Sequence, residues 1–296
     1  MSKYAIFLRK KLKWQHLLLC LIFLCLFGFG IYKNGIVSFS YGKGNFIYLL
    51  QLILIPIIFV GAGYCFDTYI LKKESLNQKK SCYYMALLSL MIPSGISILM
   101  TFCYLGICLG LLFLNEKKSS NIILFGYLII LLGVRFLGIQ NCNNYECVLE
   151  MHLSIMNRFI GFDVSGLYMS SCLLLLLMGV VLSYFYWYKK NITFYSYLVF
   201  MCCVILESIF FQGNIFLSLF QPLALITCLV VLPYTKKTPY LISAQKLFGF
   251  ISGIILYLTI HFNVLELGYL FFFILQVFHS YFDSVIMKLK NVRKEA

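Results

Sequence analysis

Tyr83-Tyr-Met-Ala-Leu-Leu-Ser-Leu-Met-Ile-Pro93-Ser-Gly95-Ile-Ser-Ile-Leu-Met-Thr-Phe-Cys-Tyr-Leu-Gly-Ile-Cys-Leu-Gly-Leu-Leu-Phe-Leu114 is an uncharged apolar run. As one helix it would extend about 48 Å at 1.5 Å per residue, well beyond a hydrocarbon layer of about 30 Å. As two helices it leaves about 16 residues each, which is short for a crossing. Everything downstream depends on which reading is right, because an extra crossing reverses the side on which each later loop emerges.

Charge decides between them. All but four of the 24 Lys and Arg residues (Lys33, Lys43, Arg135 and Arg158) sit in clusters between apolar runs. The clusters are Lys3 to Lys13, Lys72 to Lys80, Lys117/Lys118, Lys189/Lys190, Lys236 to Lys246 and Lys288 to Lys294. Loops on the cytoplasmic side of a membrane are enriched in Lys and Arg. If the uncharged run turns back on itself, all of these clusters share that side with the N-terminus. If it crosses once, every cluster after it lies outside. Pro93-Ser-Gly95 supplies a break in helical continuity, and the hairpin is the expected form.

Composition points to the same class. Hydrophobic residues make up 62% of the 296 positions and charged residues 11%, against about 25% charged in a soluble domain. One water-facing core cannot bury that surplus, so lipid is the expected solvent. The net charge of +14 reads as topological bias, with secondary attraction to anionic headgroups. Nucleic acid is not an expected partner, since no basic stripe is interleaved with exposed aromatics. Membrane lipids are.

The expected fold is an all-α polytopic membrane protein of about ten spans in one bundle, with both termini cytoplasmic. Besides the hairpin, the spans are 15–33, 46–66, 121–139, 164–188, 192–212, 215–234, 247–263 and 265–287. The basic N-terminal lead-in and first run are read as an uncleaved span, because no small-residue cleavage site follows. Residues 1–296 form a single transmembrane domain. Its halves, 1–139 and 164–296, are joined by an outer loop at 140–163, a five-plus-five division with the parity that inverted-repeat transporters need. A bacterial cytoplasmic membrane is the expected location.

Ionisable residues within spans are costly and mark candidate sites. Arg135 and Glu207 lie at similar depth in two outward-running spans, and His261 closes a third near that level. Together they form a candidate substrate or ion site, with Arg135 holding charge and Glu207 titrating. Cys142 and Cys147 lie in the outer loop, where a disulfide between them is expected about as often as not. Glu146, Glu150, His152 and Asp163 in that loop match no compact metal motif. Near the inner face, His279 and Asp283 are four residues apart on one face of the last helix, close to the level of Asp67. A carboxylate beside a His suits proton transfer or ligation.

His279-x3-Asp283 resembles arrangements in polytopic iron-dependent oxygenases, including carotenoid-cleaving ones, over a short stretch. Such sites need several His. The chain has four, namely His16, His152, His261 and His279, and they are divided between the two sides, so neither a metal nor another cofactor is expected. A phosphate loop, a His-Glu-x2-His zinc helix and a Gly-x-Ser-x-Gly elbow are all missing from the sequence.

Three functions fit. The first is a transporter or permease-like protein for a small or lipid-like solute, with a separate ATPase or another membrane subunit as a candidate partner. The second is a membrane enzyme acting on a lipid or polyprenyl-linked substrate through His279 and Asp283. The third is a non-catalytic membrane assembly or immunity protein.

Overall fold

The computed structural model describes residues 3–37, 46–72, 81–92, 97–118, 122–136, 171–185, 188–211, 219–233 and 238–295. Among these residues all regular structure is helical. The helices are α1 (Lys3–Ile31), α2 (Phe46–Cys65), α3 (Ser81–Leu90), α4 (Ile98–Lys118), α5 (Ile122–Phe136) and α6 (Cys172–Ser183). They continue with α7 (Lys190–Phe211), α8 (Pro222–Ile226), α9 (Ile242–His261), α10 (Leu265–Val277) and α11 (His279–Glu295). Wider π-helical turns extend α1 through Tyr32–Val37, α2 through Phe66–Ile70 and α8 through Thr227–Val231.

Among the described residues four helical segments are long and apolar enough to cross a membrane: Leu17–Ile36, Phe46–Ile70, Lys190–Phe210 and Ile242–His261. Leu265–Val277 and His279–Leu289 qualify together as a fifth, bent by 55° at their junction. The outer surface supports the same assignment. Phe136, Tyr69, Leu99 and Phe210 are all more than three-quarters exposed or close to it, which suits contact with lipid rather than water.

The uncharged run at 83–114 holds two helices, α3 and α4, as its Pro-Ser-Gly break suggests. Met91 and Ile92, which follow the first of them, are fully buried. Irregular backbone is tolerated in a membrane protein where protein covers it. Several other predicted spans contain helices shorter than the apolar run. Cys172–Ser183 lies within 164–188, and Pro222–Val231 within 215–234. Ten residues of helix extend about 15 Å, half the hydrocarbon thickness.

The last predicted span, 265–287, differs most from expectation. It is straight only to Val277, because the apolar sequence then gives way to His279, Ser280, Asp283, Ser284 and Lys288. This amphipathic α11 turns away, and its Asp283 is drawn to the backbone that leads into α9.

The most extensive helix contact is between α7 and α9. Gly249 and Gly253, one turn apart on α9, make it possible. A Cβ at Gly249 would lie 2.9 Å from the Ile192 carbonyl oxygen, and one at Gly253 would lie 2.5 Å from that of Ser196. Small residues at this spacing let two backbones approach within a membrane. Ile192 meets Gly249, Ser196 meets Gly253, and Glu207 meets His261, so the two helices run parallel. In contrast, α5 and α10 are antiparallel, with the ring pairs Phe125–Phe273 and Tyr127–Tyr269 between them.

Candidate functional site

Four ionisable side chains gather where α5, α7 and α9 end and α10 begins. His261 Nδ1 lies 2.8 Å from Glu207 Oε1. Tyr257, one turn back on α9, stacks its ring on His261 at 5.6 Å between centroids, and its side chain also engages Glu207. Only Phe262–Val264 separates His261 from α10, whose first turn carries Glu266. Arg135 Nη1 donates to Glu266 Oε2 at 3.0 Å.

The structure therefore brings Glu207 and His261 into contact and gives Arg135 a different carboxylate, Glu266. The pairs differ in exposure. Arg135 is 63% exposed against 16% for Glu266, while His261 and Glu207 are 40% and 27% exposed. Arg135 can extend toward the interface on its long stem, but Glu266 is held within the bundle. His261 and Glu207 are both partly exposed at the surface of the bundle.

A line of buried hydroxyls begins beside this cluster. The Tyr127 ring, close enough to Glu266 to feel its charge, packs edge-on against Tyr269 at 4.7 Å between centroids. The Tyr269 hydroxyl is 2.6 Å from Thr227 Oγ1, which lies 2.7 Å from the Leu223 carbonyl oxygen. Thr227 opens the π-helical turns after α8, a segment buried almost throughout. Such turns often mark functional positions, and short interrupted helices are where transporters build midplane sites.

The opposite end is held by a network around Asp283. Its carboxylate accepts the Tyr240 N–H at 3.0 Å and the Leu241 N–H at 2.9 Å, just before α9. These donors would otherwise be unpaired at a helix start. Gln245 donates to the Pro239 and Tyr240 carbonyls and accepts from Asn191 of α7 at 3.1 Å. Lys189 Nζ donates to the Thr238 and Pro239 carbonyls at 2.8 and 3.1 Å and lies over the Tyr240 ring at 4.8 Å. Burial lowers the Lys189 pKa from 10.5 to about 8, with the Asp283 charge opposing the shift.

His279 has a separate partner, with its Nδ1 2.9 Å from the Gln276 carbonyl oxygen. The two residues thus share a helix face but turn to different neighbours. Asp67 is likewise used at a helix start. Its carboxylate accepts the Ser81 N–H at 2.8 Å and the Ser81 hydroxyl at 2.9 Å, where α3 begins.

Cys142, Cys147, Glu146, Glu150, His152 and Asp163 lie outside the described residues. Sequence reasoning missed Glu266, Tyr257 and Lys189 as site members. Glu266 carried a usable signal: it is an acidic residue level with the span boundary, five positions after His261. Tyr257 carried none, because its place beside Glu207 depends on the rotation of α9. No protein-family model matches the chain, and no curated protein is similar to it in sequence.

Proposed function

We propose that this chain is a proton-coupled membrane carrier for a small solute, a single bundle of about ten spans with both termini cytoplasmic. The observation that carries the reading is the Glu207–His261 pair at 2.8 Å, partly exposed on neighbouring parallel helices. Titratable groups at such positions typically serve substrate or proton pathways. Protonation of the imidazole strengthens its attraction to Glu207, and loss of that proton to outside water weakens it. The balance between the two forms is what a carrier would tie to solute binding. Arg135 and Glu266 add a second charge pair at the same end, with Arg135 offering a positive group toward an anionic solute. The membrane-enzyme alternative draws less support, since Asp283 is engaged by two backbone N–H groups and His279 Nδ1 lies against the Gln276 carbonyl oxygen.

The test is current measurement on a supported membrane carrying the reconstituted full-length protein, across a panel of carboxylates, phosphates and amines. One solute class is expected to give pH-dependent current. Glu207→Gln and His261→Ala should abolish it while insertion stays normal, and Glu207→Asp should keep part of it. Equal currents in wild type and Glu207→Gln, or no current with any class, would overturn the reading.

A further inference from the structure

A cavity of about 480 Å³ lies between α6, α7 and the α8 segment. Its floor includes Tyr188 and Leu225, both nearly or fully buried, and Gly179, where a Cβ would come 2.6 Å from Leu229. Its α7 rim carries Phe194, Leu198 and Ile205, which are 60%, 41% and 38% exposed. A buried floor with an exposed apolar rim means that the cleft opens sideways, toward the hydrocarbon around the bundle.

Every hydroxyl lining it is already committed. Ser183 donates to the Val180 carbonyl, Tyr188 to Leu229, Thr193 to the Tyr188 oxygen and Tyr197 to Leu219. The remaining strong donor among the lining residues is the exposed ammonium of Lys190, at one end. Neighbouring Lys189 cannot substitute, because it is tied to the Thr238 and Pro239 carbonyls. The cleft thus suits an occupant with a long apolar body and one anionic end. From Lys190 to Ile205 the helix rises about 22 Å, more than the roughly 15 Å of one hydrocarbon leaflet. By the charge rule Lys190 lies at the cytoplasmic face, where anionic lipids concentrate.

We propose that this cleft binds one acyl chain of an anionic phospholipid, whose phosphate pairs with Lys190 while its second chain stays in the bilayer. The site is independent of the carrier reading and stands whether or not solute is moved.

Native mass spectrometry of the full-length protein in detergent tests it, with phosphatidylglycerol and phosphatidylcholine of matched chains as probes. Wild type should retain one phosphatidylglycerol in preference to phosphatidylcholine. Lys190→Gln should cut that preference about fivefold, the effect of one lysine near an anionic surface. Met201→Trp, which fills the cleft, should lose both lipids. Lys246→Gln, whose ammonium lies over Tyr195 rather than in the cleft, should behave as wild type, and inorganic phosphate should not displace the lipid. An unchanged preference in Lys190→Gln, an equal loss in Lys246→Gln, retention in Met201→Trp, or displacement by phosphate would each overturn the proposal.

Discussion

Replacing Gly253 by Ala should separate the two helices that carry the proposed site. The added Cβ would lie 2.5 Å from the Ser196 carbonyl oxygen and 2.9 Å from Val199 Cβ. Carbon and oxygen tolerate no closer approach than about 3.3 Å in such interfaces, so α9 must retreat from α7 by roughly 0.8 Å. The Ser196 oxygen is backbone and cannot rotate aside. Overpacking of this kind typically costs about 1–3 kcal/mol. The movement also reaches the site, stretching the 2.8 Å Glu207–His261 contact past the roughly 3.2 Å limit of a good hydrogen bond. Gly106 is the control, since a Cβ there meets nothing within 4 Å. In that helix interior, Ala should stabilise by about 0.5–1 kcal/mol. The helix gain is common to both glycines, so reversible unfolding in mixed micelles should place Gly253→Ala about 1–3 kcal/mol below Gly106→Ala. Equal stability of the two variants would refute the close-packing argument, and with it the idea that α7 and α9 hold the pair in register.

Two further outcomes follow from the network around Asp283. Asp283→Asn replaces charge-assisted hydrogen bonds to the start of α9 by neutral ones, so stability should fall by about 1 kcal/mol and amide exchange should rise at 240–241 and along α11. Unchanged exchange would show that Asp283 does not hold these elements together. Lys189 supplies a pH test. Its folded pKa of about 8 is below the free value of 10.5, so between those limits the unfolded chain binds more protons and stability rises with pH. The rise should be missing in Lys189→Met, and an identical pH profile in that variant would refute the assignment.

The membrane class was legible because it rests on local quantities: run length, charge spacing and the cost of ionisable groups in lipid. The break in 83–114 was legible for the same reason, since Pro93-Ser-Gly95 interrupts a run too long for one span. Pairing was much less so. Helices that are apolar all round carry no stripe to fix their rotation, so depth placed Arg135, Glu207 and His261 at one end without telling which carboxylate Arg135 would meet. The i,i+4 rule put His279 and Asp283 on one face, but helix starts compete for carboxylates. Unpaired N–H groups before α9 engaged Asp283, as Ser81 engaged Asp67. Gly249 and Gly253 were readable as a close-approach motif, and their spacing was the overlooked signal for the most extensive helix contact among the described residues.

That contact also constrains where a carrier of this design would move. α7 and α9 are joined at three levels: Asn191 to Gln245 near their N-terminal ends, Gly249 and Gly253 against backbone in the middle, and Glu207 to His261 near their C-terminal ends. Sliding one helix along the other would break all three together, so the two should behave as one rigid post. The elements around them are less continuous. The α8 segment changes helical pitch at Thr227, and α10 meets α11 at a 55° bend. Thr227 and Tyr269 link these two irregular elements through one buried hydroxyl contact, while Tyr127 and Glu266 connect Tyr269 to Arg135. A change at the Arg135–Glu266 pair is thus placed to act on α8 and α10. On the carrier reading, the titratable pair sits on the fixed part, and the moving parts are the two helices whose continuity is already interrupted.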